Sequence, residues 1–101
     1  MPKIFEYLGI IIMFYSNEHE PIHVHGKYQG FESKAEFIIE NGQIIGINIK
    51  RVRGKNPLPP KELKEFKKFV ETFKNDIIQK WIDYFVYHKS LTCIRIEGKV
   101  K

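Results

Sequence analysis

The chain changes character at Pro59 and Pro60, where its apolar residues shift from one spacing to another. Before this pair, short runs rich in β-branched and aromatic residues are separated by turn residues, a pattern typical of β-strands. After it, apolar side chains recur every three or four residues, which predicts an amphipathic helix whose first turn accommodates the prolines. The apolar stripe of this helix is formed by Leu63, Phe66, Val70, Phe73, Ile77, Trp81, Tyr84 and His88.

An Asn-Gly pair organises the strand-forming part of the chain. Asn41 and Gly42 lie between two alternating apolar runs, and both residues tolerate the positive φ angles of a two-residue hairpin turn. They therefore predict a β-hairpin. Nearer the N-terminus, Leu8 and Gly9 interrupt a long apolar run, which indicates either a second tight turn or a bulge in one strand.

These patterns predict an α+β fold over a single domain, residues 1–101. We expect an antiparallel sheet of about five to six strands, with one long or broken C-terminal helix packed on one face. The strands occupy about residues 3–50, the helix about residues 60–88, and a final strand about residues 91–98. The sequence leaves open whether the helix continues past Asn75.

Composition limits the classes of function. The formal net charge is +5, which favours anionic partners such as RNA or an acidic protein. The single cysteine excludes an intrachain disulfide and a cysteine-based zinc cluster, which fits a reducing cytoplasm, and we expect a cytoplasmic protein. No apolar run approaches the roughly 18 residues that a membrane-spanning helix needs, so we expect no membrane association.

Three of the four histidines lie in the ten-residue stretch NEHEPIHVHG. His23 and His25 are two residues apart on a predicted strand, so their side chains point to the same face. His19 precedes them on a loop. Two such imidazoles can act as general base and general acid at a phosphate, as in metal-independent ribonucleases. This interpretation makes the chain a ribonuclease-like phosphodiesterase with His19, His23 and His25 as catalytic residues, although the sequence does not decide whether it is an enzyme.

Two other interpretations of the histidines stay open. His19, His23 and His25 can serve together as ligands of a divalent metal such as Zn²⁺, with Glu32 as one of the acidic residues able to add an oxygen ligand. The zinc-protease spelling HExxH is accidental here, because Pro21 interrupts the helix that the motif requires. Alternatively, the histidines are surface residues of a strand without chemistry.

A basic connector follows the strand region, with the sequence KRVRGKNPLPP. Arg51 and Arg53 can form bidentate hydrogen bonds with phosphate or carboxylate groups, and Lys27 and Lys55 can add positive charge. We expect these four residues to contact RNA phosphates or an acidic partner. Alternatively, the basic residues of this connector are solvated and bind no partner.

Several of these residues also carry a family resemblance over about residues 1–88. The chain resembles a small bacterial family catalogued as domain of unknown function 4160. The resemblance implies that this chain is similar to the proposed toxin of a toxin–antitoxin pair, with a small antitoxin-like protein as partner. The residues that carry it are Pro2, Ile4, Gly9, Glu18, His19, Pro21, His23 and His25.

Three hypotheses of function follow. The first is a toxin that acts on RNA through its histidine cluster, and the second is a histidine-based metal-binding protein. The third is a non-catalytic interaction module that binds a small acidic partner or forms a homodimer through a sheet edge or its aromatic helix.

Overall fold

The chain forms one sheet and two helices, in a computed structural model that describes residues 2–16 and 21–100. Among the described residues, five strands precede the helices and one follows them, so the change of pattern at Pro59 and Pro60 does separate strands from helices. In chain order the elements are β1 (Lys3–Tyr7), β2 (Ile10–Met13), β3 (His23–Tyr28), β4 (Phe31–Glu40), β5 (Gln43–Arg51), α1 (Pro60–Thr72), α2 (Lys74–Phe85) and β6 (Ile94–Ile96).

The sheet has the strand order β5-β4-β3-β2-β1-β6. The first five strands form consecutive antiparallel pairs, whereas β6 lies parallel to β1. The predicted antiparallel sheet is therefore wrong, and the sheet is mixed. A parallel neighbour needs a crossover connection, and here the two helices supply it before the chain returns to the sheet edge.

Two hairpin turns depend on residues that tolerate positive φ. Asn41 and Gly42 have φ angles of +51° and +77°, so the predicted Asn-Gly hairpin between β4 and β5 is confirmed. Leu8 and Gly9 have φ angles of +50° and +79° and connect β1 to β2 in the same way. The early apolar run is thus two strands.

The prediction of one long or broken helix at about residues 60–88 is wrong as well, because two separate short helices replace it. They meet at Phe73, where φ is −104° and ψ is +18°, and the second one ends at Phe85. An unbroken helix over residues 60–85 would be about 39 Å long. The largest dimension of the molecule is 33 Å, so the chain must turn to keep both apolar stripes on the sheet.

The helices pack on one face of the sheet around a cluster of buried residues. Phe69 of α1 contacts Phe5 and Tyr7 of β1, with ring centroids 5.2 and 4.8 Å apart. Trp81 of α2 contacts Phe14 just after β2, at 5.4 Å. Aromatic rings therefore join both helices to the middle of the sheet. In the described part of the chain, no helix is long and apolar enough to cross a membrane.

Candidate active site

The two histidines of β3 lie on the sheet face that points away from α1. Side chains alternate along a strand, and Gly26 faces the ring of Phe66 on α1. His23 and His25 therefore face the opposite side, as their spacing predicts. Their ring centroids are 5.2 Å apart, and the ring of His23 also lies 5.5 Å from that of Trp81 near the end of the sheet.

His25 belongs to a buried polar cluster with Glu32 and Tyr15. Its Nδ1 atom lies 3.0 Å from Oε2 of Glu32, and the hydroxyl of Tyr15 donates to the same oxygen at 2.8 Å. The Tyr15 ring packs edge-on against the imidazole, with centroids 4.5 Å apart. Because His25 is 5% exposed and Glu32 1% exposed, this carboxylate–imidazole pair is well shielded from water.

Sheet register explains why this carboxylate meets this imidazole. The short turn after Tyr28 pairs Lys27 with Glu32 and His25 with Lys34. Glu32 is therefore the diagonal neighbour of His25 on the same face, within reach of a long side chain. Sequence reasoning considered Glu32 only as a metal ligand and did not consider Tyr15.

The hydrogen bonds assign the same tautomer to both histidines. An ionised Glu32 accepts only, so Nδ1 of His25 carries the proton and its Nε2 carries the lone pair. Nδ1 of His23 lies 2.8 Å from the carbonyl oxygen of Pro21, which also accepts only. Each imidazole is thus oriented through Nδ1, and its basic nitrogen is Nε2.

Glu36 lies beside His23 in the sheet and forms ion pairs with two lysines. Its carboxylate is 3.0 Å from Nζ of Lys50 and 3.7 Å from Nζ of Lys34. Burial raises the pKa of Glu36, whereas the hydrogen bond and the charge of Lys50 lower it. With the charges of Lys34 and His23 added, the net effect holds the pKa below its ordinary value.

Lys34 is a cation that sequence reasoning missed, whereas Lys50 was expected in the basic connector but not beside the histidine strand. His25, Lys34 and Lys50 occupy one row across β3, β4 and β5. The alternation of Glu32, Lys34 and Glu36 along β4 is the signal that could have found this polar face.

The predicted phosphate contacts are spread over two regions. Lys27 lies on β3, two residues after His25 and on the same face. Arg51 pairs with Ser33, whose Oγ accepts from the backbone of Leu58, so the register puts Arg51 on the other face. Arg53 and Lys55 follow β5 in an exposed turn. The structure therefore brings Lys27, but not the other three, into the neighbourhood of the histidines.

The three-histidine set is only partly described. His19 lies outside the described residues, so its place relative to His23 and His25 stays a prediction. Within residues 2–16 and 21–100, no group of three or more His, Cys, Asp or Glu side chains could hold a metal ion. The metal site predicted from His19, His23 and His25 includes the undescribed residue and remains a prediction.

Comparison with known proteins gives a family and no more. The family model described as "Domain of unknown function (DUF4160)" matches residues 9–82. The match includes the histidine block, the basic connector and most of both helices, and β6 lies outside it. No curated protein and no solved structure gives a match. Because the matched segment covers well over half of the chain, this protein belongs to the DUF4160 family.

Proposed function

We propose that this chain is a metal-independent phosphodiesterase that cleaves RNA by general acid–base catalysis with His23 and His25. The observation that carries the proposal is the 3.0 Å contact between Nδ1 of His25 and the buried Glu32 carboxylate. A buried carboxylate fixes the tautomer of an imidazole and stabilises the imidazolium that forms when Nε2 takes a proton. His23, on the same face of the strand, supplies the second titratable group that such a reaction requires.

We assign the role of base to His25 and the role of acid to His23. In the proposed reaction, Nε2 of His25 removes the proton from a ribose 2′-hydroxyl, whose oxygen attacks the adjacent phosphorus. The bond to the 5′-oxygen breaks as His23, in its protonated form, donates a proton to that oxygen, leaving a 2′,3′-cyclic phosphate. Glu36 pairs with His23 across the sheet, so an anionic carboxylate lies beside the imidazolium that donates this proton.

Charge on the phosphate needs cations near the two imidazoles. Lys27, on the same face as His25, is the first candidate, because Lys34 and Lys50 are both paired with Glu36. Arg51, Arg53 and Lys55 are more distant contacts in this proposal. Since His25 is 5% exposed, substrate reaches its Nε2 only if side chains packed over the ring move aside.

The proposed cellular role is that of a toxin in a toxin–antitoxin pair. Its support is the family resemblance described above together with the RNA chemistry proposed for the histidines. Cleavage of cytoplasmic RNA would arrest growth, and a small antitoxin-like protein would prevent that arrest. Induced expression of the wild type, but not of a folded His23→Ala/His25→Ala variant, is expected to arrest bacterial growth.

The decisive experiment is RNA cleavage by purified protein in the presence of EDTA. We expect wild-type protein to cleave, and His23→Ala, His25→Ala and Glu32→Gln each to lose at least about a hundredfold in rate. His88→Asn is the matched control, because His88 is exposed and its φ angle of +55° suits asparagine. Circular dichroism confirms folding of each variant. Cleavage that survives His25→Ala contradicts the proposal.

Metal binding is the second candidate function, and one observation favours it. Histidines that bind metals through Nε2 usually donate Nδ1–H to a carboxylate or a backbone carbonyl, as His25 and His23 do here. With His19 as the third ligand, the site would suit Zn²⁺. A rise in melting temperature on adding Zn²⁺, lost in His19→Ala and in His23→Ala, is the expected result. An unchanged melting temperature removes this candidate.

A further inference from the structure

β5 forms one edge of the sheet, and β6 forms the opposite edge. Within the described part of the chain, β4 is the only strand that pairs with it. At nine residues it is a long edge, and its outer backbone groups are a template for pairing with another chain. β6, at the opposite edge, has three residues, so β5 is the edge suited to adding a strand.

An apolar groove lies beside the first half of β5, on the helix side. Its volume is about 360 Å³, and Lys74 of α2 supplies a cation at its wall. Ile38, next to Ile39 on β4, points to the opposite face and is 37% exposed, and Ile45, at the irregularity in the β4–β5 pairing, is 56% exposed. A strand added along β5 could therefore bury one of its side chains in the groove and another against these isoleucines. The apolar side chains lining the groove are Ile39, Ile44 and Ile78.

The second half of this edge is strongly basic. Residues 43–56 contain Lys50, Arg51, Arg53 and Lys55 and no acidic residue. After β5 the chain turns and returns to the sheet, where Asn56 bridges to the start of β4. This return keeps the cations of residues 53–55 close to the end of the β5 edge.

We propose that the outer edge of β5 binds an extended acidic segment of a second protein by strand addition. Backbone hydrogen bonds to β5 supply affinity, an apolar side chain fills the groove, and carboxylates meet the cations from Lys50 to Lys55. The inference concerns a surface apart from the histidines and does not depend on RNA cleavage.

The alternatives fit this edge less well. RNA would match the basic end, but it has no complement for the outer backbone groups or for the exposed isoleucines. A second copy of this chain has the backbone and the isoleucines, but its net charge of +5 does not complement the basic end. An acidic, partly apolar peptide strand complements all three features.

The test uses two fluorescently labelled nine-residue peptides and the full chain. One peptide alternates valine with glutamate over one half and valine with threonine over the other, and the second has lysine in place of each glutamate. Fluorescence anisotropy is expected to show binding of the acidic peptide at least about tenfold tighter than of the basic one. Amide hydrogen exchange is expected to slow along β5 when the acidic peptide is added.

Matched variants distinguish binding at the β5 edge from attraction by the net charge of the protein. Arg51→Glu/Arg53→Glu is expected to weaken binding of the acidic peptide at least tenfold. Lys67→Glu/Lys68→Glu changes the charge equally on exposed positions of α1 and should have little effect. His23→Ala should also leave the affinity unchanged, so failure of the catalytic proposal would not affect this result.

Three outcomes would overturn the inference. One is equal binding of the acidic and basic peptides. Another is equal weakening by the two double variants, which would indicate attraction by net charge alone. The third combines two observations: hydrogen exchange along β5 does not change when the peptide is added, and a single-stranded oligonucleotide displaces the peptide. That result would identify a nucleic-acid surface instead.

Discussion

The ring of Phe66 on α1 lies directly against the backbone of Gly26 on β3. A Cβ atom placed on Gly26 would be 2.7 Å from two atoms of that ring, closer than non-bonded carbons approach. Phe66 is fully buried, so its ring has no open space to move into. The absence of a side chain at residue 26 thus sets how closely α1 approaches the strand that carries both histidines.

Gly26→Ala is predicted to destabilise the protein by about 1–3 kcal/mol, because the added methyl overpacks the contact between β3 and α1. Urea unfolding of the variant measures this loss. Gly30→Ala is the matched control, since a Cβ at Gly30 meets nothing within 4 Å. Equal stability of wild type and Gly26→Ala would show that the helix can shift without cost.

Tyr15→Phe is predicted to lower the free energy of unfolding by about 1–3 kcal/mol. The substitution removes the hydroxyl that donates to Oε2 of Glu32 at 2.8 Å and leaves a buried carboxylate with one fewer donor. Thermal or urea unfolding provides the measurement. Tyr87→Phe serves as control, because Tyr87 is 61% exposed. If both substitutions have the same small effect, the hydroxyl does not support Glu32.

Local sequence patterns predicted much of the strand region in which the candidate site lies. Strand alternation was enough to place His23 and His25 on one face, and Asn41-Gly42 was enough to place the β4–β5 hairpin. The pairing of His25 with Glu32 could also have been reached, because a two-residue turn at Gln29-Gly30 determines the register.

Other features depend on distant parts of the chain. The apolar stripe runs from Phe69 through Phe73 to Ile77 without losing its spacing, so the pattern itself gives no sign of the break between the helices. The break reflects the size of the sheet that the helices must cover. The parallel pairing of β6 with β1 likewise depends on where the second helix ends, which periodicity does not encode.

Lys50→Met is predicted to raise the pKa of Glu36, because Lys50 donates the hydrogen bond and contributes the nearest charge that stabilise the carboxylate. NMR titration of the Glu36 carboxyl group measures the change. Lys89→Met is a suitable control, since Lys89 pairs with Asp83, which is not part of the Glu36 cluster. A pKa that does not move would mean that Lys34 and His23 suffice.

The same shift has a consequence for acid stability. A carboxyl group whose pKa is lower in the folded than in the unfolded protein stabilises the fold above its unfolded pKa, near 4.5. That contribution is lost as the pH falls through the folded pKa of Glu36. Wild type is therefore expected to lose more stability than Lys50→Met on acidification below about pH 5. Parallel losses would contradict the linkage.

Tyr7→Phe is predicted to change how stability depends on alkaline pH. Burial of the Tyr7 hydroxyl, together with its bond to Glu65 and the charge of that residue, raises its pKa above 10.0, and the amide of Val100 only partly offsets this. The unfolded chain therefore releases this proton at lower pH than the folded chain. The stability that Tyr7 contributes is complete below pH 10.0 and falls as the pH rises through the folded pKa.

Unfolding free energies of wild type and Tyr7→Phe from about pH 8 to about pH 11 test this expectation. Other tyrosines and the lysines titrate in both proteins, so the informative quantity is the difference between the two curves. At neutral pH, wild type is expected to be more stable, because Tyr7 donates to Glu65 at 3.2 Å and accepts from the amide of Val100 at 2.9 Å. The difference should narrow above pH 10.0, as only the wild type loses the contribution of a neutral Tyr7. A constant difference over the whole range would show that this hydroxyl titrates alike in the folded and unfolded chains.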